Sequence, residues 1–379
     1  MTIRPFQLER FFALHEFSAP HLLACSDCES MSIGELLRLA GQLPDVLMDL
    51  RLGYTESQGD PSLRATIAGF YDSISPDQVV VTNAPEEAIF LAMWSLVGPG
   101  DRVVVQTPCY QSLAELARFR GATVQPWAMS ETSARWQMDL DRLGDLVTPD
   151  TRLIVVNFPH NPTGYVPTAQ QFQDLIAIAA RWGAWLLCDE MYRGLEYEPA
   201  QRLPAAADCY PRAVSLWGMS KTFGLAGLRI GWLATQDRAL VQSLLNHKDY
   251  TTICSSAPSE VLARIALQNA AALIARNVGI IRDNLTLVRG FMDRHAERFA
   301  WRAPLAGPVA FPRLREGSAA AFCRAAVEEA GVLLAPATLF DFGDAHCRWG
   351  LGRRSFAAGL AALEAYLAAG RAALDRGSL

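Results

Sequence analysis

SLWGMSKTFGLAGLRIGW, residues 215–232, is the most informative stretch of this 379-residue chain. An apolar run leads into Ser220 and Lys221, Arg229 follows eight residues after the lysine, and glycines recur through the segment. A lysine that acts as a nucleophilic amine, next to groups that bind an anion, is what Schiff-base chemistry with pyridoxal phosphate requires. An ordinary surface lysine in a glycine-rich loop would show the same letters. The surrounding segments therefore have to decide between these interpretations.

Apolar, β-branched runs alternate with helical patterns from residue 78 onward. The runs predict six strands, at 78–82, 102–106, 152–157, 184–190, 213–217 and 229–234. Between the strands, residues 86–97 and 168–182 place apolar side chains at helical spacing. Strand and helix in alternation predict an α/β fold whose sheet is mostly parallel and covered on both faces.

The pattern changes after about residue 275. A long helix is predicted at 282–298, and short apolar strands at 309–314 and 332–335 alternate with alanine-rich helices up to residue 379. The first fifty residues also lack the strand rhythm. We therefore expect a large cofactor-binding domain over 50–274 and a smaller α+β domain built from 1–49 and 275–379.

The composition predicts a cytoplasmic protein with neither nucleic-acid nor membrane partners. The net charge of −5 provides no basic surface for nucleic acid. No apolar run reaches the roughly 20 residues that span a bilayer, and the N-terminus lacks the apolar core of a signal peptide. Cys25 and Cys28 form one C-x-x-C pair, but no second pair completes a zinc site, so no metal is expected.

Four further segments place chemistry near predicted strand ends, where open α/β sheets build their sites. Asp189 ends an apolar strand, where a carboxylate is costly unless a cation such as a protonated pyridine nitrogen pairs with it. Asn161 and Tyr192 could hydrogen-bond a ring hydroxyl, Tyr110 could stack on a flat ring, and the turn at 82–89 offers N–H groups to a phosphate. Each has a structural alternative: a turn for Asn161, a helix cap for Asp189 and the core for Tyr110.

In their order and spacing these segments resemble the fold-type I pyridoxal-phosphate enzymes of the class I/II aminotransferase family, over nearly the full length. The matching segments are GYTESQGDPSLR (53–64), TNAPEEAIFLA (82–92), GPGD (98–101), P-x-Y (108–110), NPTG (161–164), DEMY (189–192), the lysine segment and HCRWGLG (346–352). The resemblance implies an aspartate-aminotransferase-like architecture with a seven-stranded sheet, pyridoxal 5'-phosphate as the cofactor, and a homodimer.

The resemblance also implies roles at the cofactor ring. Lys221 would hold the cofactor as a Schiff base and move the proton, and Asp189 would pair with the ring nitrogen. Asn161 and Tyr192 would bind the ring hydroxyl, with Asn161 also next to the substrate, and Tyr110 would stack on the ring.

The phosphate and the substrate have their own implied ligands. Ser220 and Arg229 would bind the phosphate, joined by Tyr54 of the partner subunit. Arg348 would bind the substrate carboxylate through a bidentate hydrogen bond.

The phosphate turn departs from the family pattern, which is often Gly-Ala-Ser. Here the residues are Ala84, Pro85 and Glu86; Pro85 has no N–H, and Glu86 brings a carboxylate near a dianion. Gly218 stands where the family often has a hydroxyl. We expect these residues to form a phosphate cup with fewer donors than usual.

The segment LACSDCES, residues 23–30, replaces the usual substrate-covering segment and bears on substrate choice. Ser26, Asp27 and Glu29 could recognise a basic side chain such as a guanidinium. Alternatively the segment starts a helix, because Ser30 or Ser32 followed by Glu35 has the pattern of a capping box. The head segment is also similar to a subgroup that contains hydroxyarginine cyclases.

An aminotransferase that moves an amino group between an L-amino acid and a 2-oxo acid is the first expectation. A pyridoxal-phosphate-dependent lyase or cyclase acting on a guanidine amino acid such as hydroxyarginine is the alternative. A non-catalytic ligand-binding homologue is a distant third, because such regulators carry an added DNA-binding domain.

Overall fold

A seven-stranded sheet forms the centre of the protein in a computed structural model that describes residues 2–370. We number its strands in chain order: β1 Val79–Asn83, β2 Arg102–Thr107, β3 Thr123–Ala128, β4 Thr151–Asn157, β5 Trp185–Asp189, β6 Ala213–Gly218 and β7 Ile230–Ala234. Their order across the sheet is β1–β7–β6–β5–β4–β2–β3. Strand β7 is antiparallel to both neighbours, and the other pairs are parallel. The predicted mostly parallel seven-stranded sheet is confirmed.

Strand β3 is the one strand of this sheet that the apolar runs do not predict. It lies at the edge and pairs only with β2, and it contains Pro126. An edge strand tolerates proline because one row of its backbone groups needs no partner in the sheet. The same edge position leaves most of the strand outside the core, with Trp127 as its buried side chain. The apolar signal is therefore weak.

Both faces of the sheet are buried, as strand β4 illustrates. Successive side chains of a strand point to opposite faces. Leu153 and Val155 belong to the core cluster that contains side chains of the helices Pro85–Leu96, Ser112–Phe119 and Arg238–Lys248. Ile154 and Val156 belong to the cluster that includes the helix Ala169–Trp182. The continuous apolar run in β4 follows from this double burial.

Further helices pack around the sheet or form the remaining layers. The other α-helices are Gln7–His15, Ile33–Leu39, Asp45–Met48, Pro61–Ala68, Leu140–Leu146, Ala206–Cys209, Ala257–Gln268, Ala270–Arg294, Ala319–Ala330 and Phe356–Ala368. Short 3-10 turns lie at Pro76–Gln78, Pro199–Gln201, Ala226–Leu228 and Ala337–Phe340. None of the described helices combines the length and apolarity needed to cross a membrane.

The remaining strands are short. They are His21–Leu22, Ser130–Glu131, Trp136–Gln137, Phe299–Ala300, Val309–Ala310, Arg313–Leu314, Val332–Leu333, Ala335–Pro336 and Cys347–Gly350. Each strand predicted at 309–314 and 332–335 is thus divided in two. The helix predicted at 282–298 runs instead over Ala270–Arg294, so its N-terminus lies twelve residues earlier.

The N-terminal segment packs on the C-terminal part of the chain. His21–Leu22 pairs in parallel with Val332–Leu333, and Leu23 belongs to a core cluster formed mainly by side chains between 281 and 367. This contact agrees with a small domain assembled from both ends of the chain. The proposed domain boundaries stay a prediction, and Met1 and residues 371–379 lie outside the described residues.

Candidate active site

A cavity of about 450 Å³ lies at the carboxyl ends of β4 and β5, next to the turn that follows β6. Most of the residues predicted from the sequence line it: Ser26, Asp27, Pro85, Glu86, Tyr110, Asn161, Asp189, Tyr192, Ser220, Lys221, Arg229 and Arg348. Ala84, which immediately precedes Pro85, is buried and is not among the lining residues, and Tyr54 lies elsewhere on the surface. Residues spread over more than 300 positions therefore meet in one place.

Lys221 has the environment of a nucleophilic amine. Its Nζ donates a hydrogen bond to Ser26 Oγ at 3.0 Å. Burial lowers the pKa of the lysine below its usual value and Arg348 lowers it further, against an opposing contribution from Asp27. The neutral amine is the form that attacks an aldehyde carbon. The site therefore favours the reactive form of Lys221.

Asp189 is the last residue of β5 and is buried at the cavity wall. Its Oδ1 accepts the Met191 N–H at 3.0 Å. Burial raises the pKa of Asp189 to about 7, and the opposing effect of Lys221 is smaller than the burial penalty. A cationic ring nitrogen against this carboxylate would stabilise its charged form. The residue thus fits the pyridine nitrogen of pyridoxal phosphate.

Asn161 and Tyr192 are each held by hydrogen bonds, and those of Asn161 involve a residue not predicted from the sequence. The Asn161 N–H donates to Asn157 Oδ1 at 2.6 Å, and Asn157 Nδ2 donates to the Asp189 carbonyl at 2.8 Å. The Tyr192 hydroxyl donates to the Ser26 carbonyl at 3.0 Å. Asn157 is the last residue of β4, and that position was the signal that could have identified it.

Arg348, on the strand Cys347–Gly350, places a guanidinium in the cavity wall that is only 1% exposed. Its Nη2 and Nε donate to the Ala24 carbonyl at 2.9 and 3.2 Å, and Nη1 donates to Asn161 Oδ1 at 3.2 Å. These acceptors are neutral, and burial lowers the pKa of the arginine. A buried cation whose partners are neutral is suited to bind an anionic carboxylate from a ligand.

The end of the cavity that is expected to hold the phosphate has few backbone donors. Ala84 precedes the helix Pro85–Leu96, and its N–H is already bonded to the Arg229 carbonyl at 2.9 Å. Pro85 has no N–H, so the expected contribution of these two residues to phosphate binding cannot come from their amides. The next amides of the helix, with the side chains of Ser220 and Arg229, remain at this end. Arg229 Nη1 also donates to the Ala226 carbonyl at 3.1 Å.

The two departures from the family pattern, Pro85 and Gly218, explain each other. A Cβ on Gly218 would lie 2.8 Å from Pro85 Cγ and 2.9 Å from the Ile230 carbonyl oxygen. A Cβ on Gly231 would likewise lie 2.6 Å from Pro85 N. The proline ring therefore uses the space that a side chain at 218 would need.

Glu86 belongs to an acidic cluster beside this turn. Ser112 Oγ donates to Glu86 Oε2 at 3.3 Å, and the Tyr110 hydroxyl donates to Glu9 Oε1 at 3.0 Å. Burial raises the pKa of Glu86 to about 7, and the charge of Glu9 contributes. The protonated carboxyl can donate a hydrogen bond, whereas the carboxylate would repel a phosphate.

The N-terminal segment brings two further carboxylates that sequence reasoning did not identify, Glu9 and Glu16, into the cavity wall. Glu16 Oε1 lies 3.9 Å from Cys25 Sγ. Both oxygens of Asp27, in contrast, accept hydrogen bonds from Arg353, at 3.0 and 2.8 Å. Glu9 lies on the helix Gln7–His15 and Glu16 at its C-terminal end, and nothing in the sequence distinguishes them from surface residues.

The capping alternative for this segment applies to a different residue from the two in the cavity. Ser32, rather than Ser30, caps the helix Ile33–Leu39 in a capping box with Glu35. Ser26 and Asp27 lie upstream of the cap and line the cavity. The segment therefore contributes residues to the cavity, as one interpretation expected, and is followed by a helix cap, as the other expected.

Tyr54 is 94% exposed and does not reach the cavity within one chain. It lines a surface groove with Leu52, Cys254 and Ser255. The single chain therefore leaves the expected contribution of Tyr54 to the phosphate open.

Comparison with known proteins identifies the family. The family model described as aminotransferase class I and II matches residues 30–368. The chain belongs to the class I/II aminotransferase family. Pyridoxal phosphate is accordingly its cofactor, in agreement with the environments of Lys221 and Asp189.

Two curated relatives of this class I/II enzyme have different reactions in their names. It is 32% identical to capreomycidine synthase of Streptomyces vinaceus over 341 residues, which cover 89% of this chain and 87% of the relative. It is 29% identical to an aspartate aminotransferase of Thermotoga maritima over 320 residues, covering 80% of this chain and 78% of the relative. Sequence similarity thus leaves the reaction open.

Solved structures show the same division. A PLP-dependent aminotransferase from Streptococcus suis 89-1591 superposes with a TM-score of 0.92 at 29% identity, over the full length of both chains. The PLP-dependent cyclase OrfR superposes with a TM-score of 0.89 at 31% identity, over 97% of this chain and 98% of that one. The expected aspartate-aminotransferase-like fold is confirmed.

Proposed function

We propose that this class I/II enzyme acts on an L-amino acid with a cationic side chain. The observation that supports this is the charge of the cavity, where Glu9 and Glu16 line the same space as Arg348. Arg348 has neutral partners and suits the α-carboxylate of the substrate. Glu9 and Glu16 are then free to bind a guanidinium or ammonium group, because neither forms an ion pair with another described residue.

The reaction we propose is elimination followed by ring closure on a hydroxylated guanidine amino acid such as hydroxyarginine. A ping-pong aminotransferase must bind both the donor and the 2-oxo acid in one cavity. An acceptor with a second carboxylate would be repelled by Glu9 and Glu16, whereas a cyclase needs only the cationic substrate. Similarity to capreomycidine synthase and to OrfR agrees with this choice.

The balance of the reaction is the loss of one water. The α-proton moves to Lys221 Nζ, and a hydroxyl on the adjacent β-carbon leaves with the electron pair of its C–O bond and is protonated. A guanidine nitrogen forms the new C–N bond and loses a proton. Bound pyridoxal phosphate supplies the electron sink that makes the α-proton acidic.

The side chains of the cavity have distinct roles in this proposal. Lys221 accepts and returns the proton at Nζ. Asp189 keeps the ring nitrogen protonated, while Tyr192 and Asn161 orient the ring. Arg348 holds the carboxylate so that the α-proton faces the lysine, and Glu16 orients the guanidinium.

Transamination is the second candidate. Aspartate aminotransferases among the relatives favour it, and the same Lys221, Asp189 and Arg348 would serve it. It would require an acceptor without a second carboxylate, for the reason given above.

The product distinguishes the two reactions. The holoenzyme is incubated with arginine, ornithine and β- and γ-hydroxyarginine, without a 2-oxo acid, and products are identified by mass spectrometry. A product that has lost one water supports the cyclase, and stoichiometric 2-oxo acid supports transamination. Consumption of none of these amino acids would contradict a cationic amino acid as the substrate.

Charge neutralisation tests the substrate class. Glu16→Gln should raise KM for the cationic substrate by roughly tenfold to a hundredfold, because a hydrogen bond to a charged group contributes about 1.5–3 kcal/mol. Glu328→Gln, on the exposed face of the helix Ala319–Ala330, is the matched control. Equal KM values for both variants would contradict the role of Glu16.

We further propose a homodimer in which Tyr54 completes the partner's phosphate site. Its near-complete exposure and the scarcity of amide donors at the turn of Ala84 and Pro85 support this. Mixing Lys221→Ala with Tyr54→Phe after reversible unfolding should restore activity in hybrid dimers. A mixture as inactive as its parts would contradict the shared site.

A further inference from the structure

Ser26 is held over the cavity by unusually close backbone packing. Its segment, residues 23–29, lies against Gly350 and Gly352, where an added Cβ would lie 2.7 Å from the carbonyl carbon of Cys25 and 2.9 Å from that of Asp27. The Gly350 N–H donates to the Leu23 carbonyl at 2.6 Å. The position of the serine is therefore set by the backbone rather than by its own side chain.

The two polar groups of Ser26 contact two candidate catalytic residues. Its Oγ accepts from Lys221 Nζ at 3.0 Å, and its carbonyl oxygen accepts from the Tyr192 hydroxyl at 3.0 Å. Among the described residues, Ser26 Oγ is the hydrogen-bond partner of the Lys221 amine, and the amine is the partner of that hydroxyl. The hydroxyl therefore has no second structural bond to maintain.

We propose that Ser26 is a positioning residue for proton transfer by Lys221. Its hydroxyl accepts one N–H of the amine and so fixes the direction of the nitrogen lone pair. Once the amine has taken the α-proton, the same oxygen accepts from the ammonium and keeps the proton within reach of the substrate. The inference rests on the proposed role of Lys221 as the base, and applies to cyclisation and transamination alike.

The chemistry of the contact explains why the side chain matters. An amine without a partner rotates freely about its terminal bond, so its lone pair points at the substrate only part of the time. A misplacement of about 1 Å at a reacting group can cost roughly a hundredfold in rate. A hydroxyl is a suitable partner because it accepts from both the neutral and the protonated amine.

The first test is exchange of the α-proton by the holoenzyme in D₂O, with arginine as the probe. Exchange requires only proton removal and return, so it does not depend on which product forms. Ser26→Ala should lower the exchange rate at saturation by roughly tenfold to a hundredfold, with little change in KM. Ser26→Thr, which keeps the hydroxyl, should recover most of the rate.

Ser30→Ala is the control, because Ser30 directly follows this segment and is exposed. It should exchange like the unmodified protein. An exchange rate of Ser26→Ala equal to that of Ser30→Ala would overturn the proposal, as would a Thr variant no faster than the Ala variant.

A second readout does not need catalysis. The rate at which the apoenzyme captures pyridoxal phosphate, followed against pH by absorbance, reports the protonation of Lys221. Because Ser26 accepts from the ammonium, Ser26→Ala should move the pH midpoint lower, and Ser26→Thr should restore it. An unmoved midpoint would overturn the proposal.

The two readouts separate failure of the inference from failure of the proposed function. If the unmodified enzyme exchanges no α-proton, the function proposed above fails, and the capture experiment alone decides the contact between Ser26 and Lys221. If exchange is normal but insensitive to Ser26, the function stands and the inference fails.

Discussion

Replacing Gly350 by alanine should lower the activity of the enzyme roughly a hundredfold while leaving it folded. The added Cβ would lie 2.7 Å from the carbonyl carbon of Cys25, with the carbonyl oxygen closer still, whereas ordinary contacts begin at 3.4 Å. The segment must therefore retreat by 0.7 Å or more. That movement carries Ser26 away from Lys221 and the Ala24 carbonyl away from Arg348.

A shift of this size has a calculable consequence. Displacement of reacting groups by about 1 Å costs roughly a hundredfold in kcat/KM. Overpacking should lower the free energy of unfolding by about 1–3 kcal/mol. The α-proton exchange of arginine measures the first effect, and urea denaturation of the apoenzyme measures the second.

Gly279→Ala is the matched control. Gly279 lies within the helix Ala270–Arg294, and a Cβ there would meet no atom within 4 Å. It should leave exchange unchanged and stabilise the protein by roughly 0.5–1 kcal/mol. If Gly350→Ala exchanged as fast as Gly279→Ala, the inference that Gly350 holds the segment in place would be refuted.

Three further predictions concern the phosphate turn and two buried carboxyls. Gly218→Ser should lower the free energy of unfolding, measured by urea denaturation, by about 1–3 kcal/mol. Adding Pro85→Ala should recover part of that loss, because the proline ring occupies the space that the serine side chain needs. Strictly additive effects of the two substitutions would contradict this prediction. The affinity of Glu86→Gln for pyridoxal phosphate, divided by that of the unmodified protein, should rise as the pH increases through 7. The reason is that burial raises the pKa of Glu86 to about 7 and its carboxylate repels phosphate. A ratio of affinities that does not change with pH in fluorescence titrations would contradict this prediction. Glu260→Gln should raise the free energy of unfolding by about 2–3 kcal/mol at pH 8 and by little near pH 5, because burial raises the pKa of Glu260 to about 7. The protonated carboxyl contributes its full stability below the usual pKa near 4.5, and this contribution is lost as the pH rises through 7. Equal effects of the substitution at both pH values in urea denaturation would contradict this prediction.

Local patterns were enough for most of the fold. Strands such as β4 and β5 are buried on both faces, so their apolar runs were visible without knowledge of their neighbours. The edge strand β3, with Pro126, had no such run, because most of its side chains are exposed. That exposure follows from its position at the edge of the sheet, which no local sequence pattern indicates.

The chemistry of the site divides in the same way. Lys221, Asp189, Asn161 and Arg348 stand next to turns or strand ends whose letters resemble a known family, and the structure brings all four to one cavity. Glu9 carries no comparable local signal, because its role comes only from the way its helix lies across the cavity.

The sequence by itself determined the alternation of strands and helices, the cofactor and the lysine that would bind it, because these depend on residues close together along the chain. Tertiary structure alone decided which charged side chains of the cavity remain available to bind a ligand. Asp27 forms an ion pair with Arg353, 326 positions away, whereas Glu16 has no ion-pair partner among the described residues. It also placed Ser26 against Lys221, 195 positions away. Such pairings follow from backbone packing at Gly350 and Gly352, which no local pattern of side chains encodes.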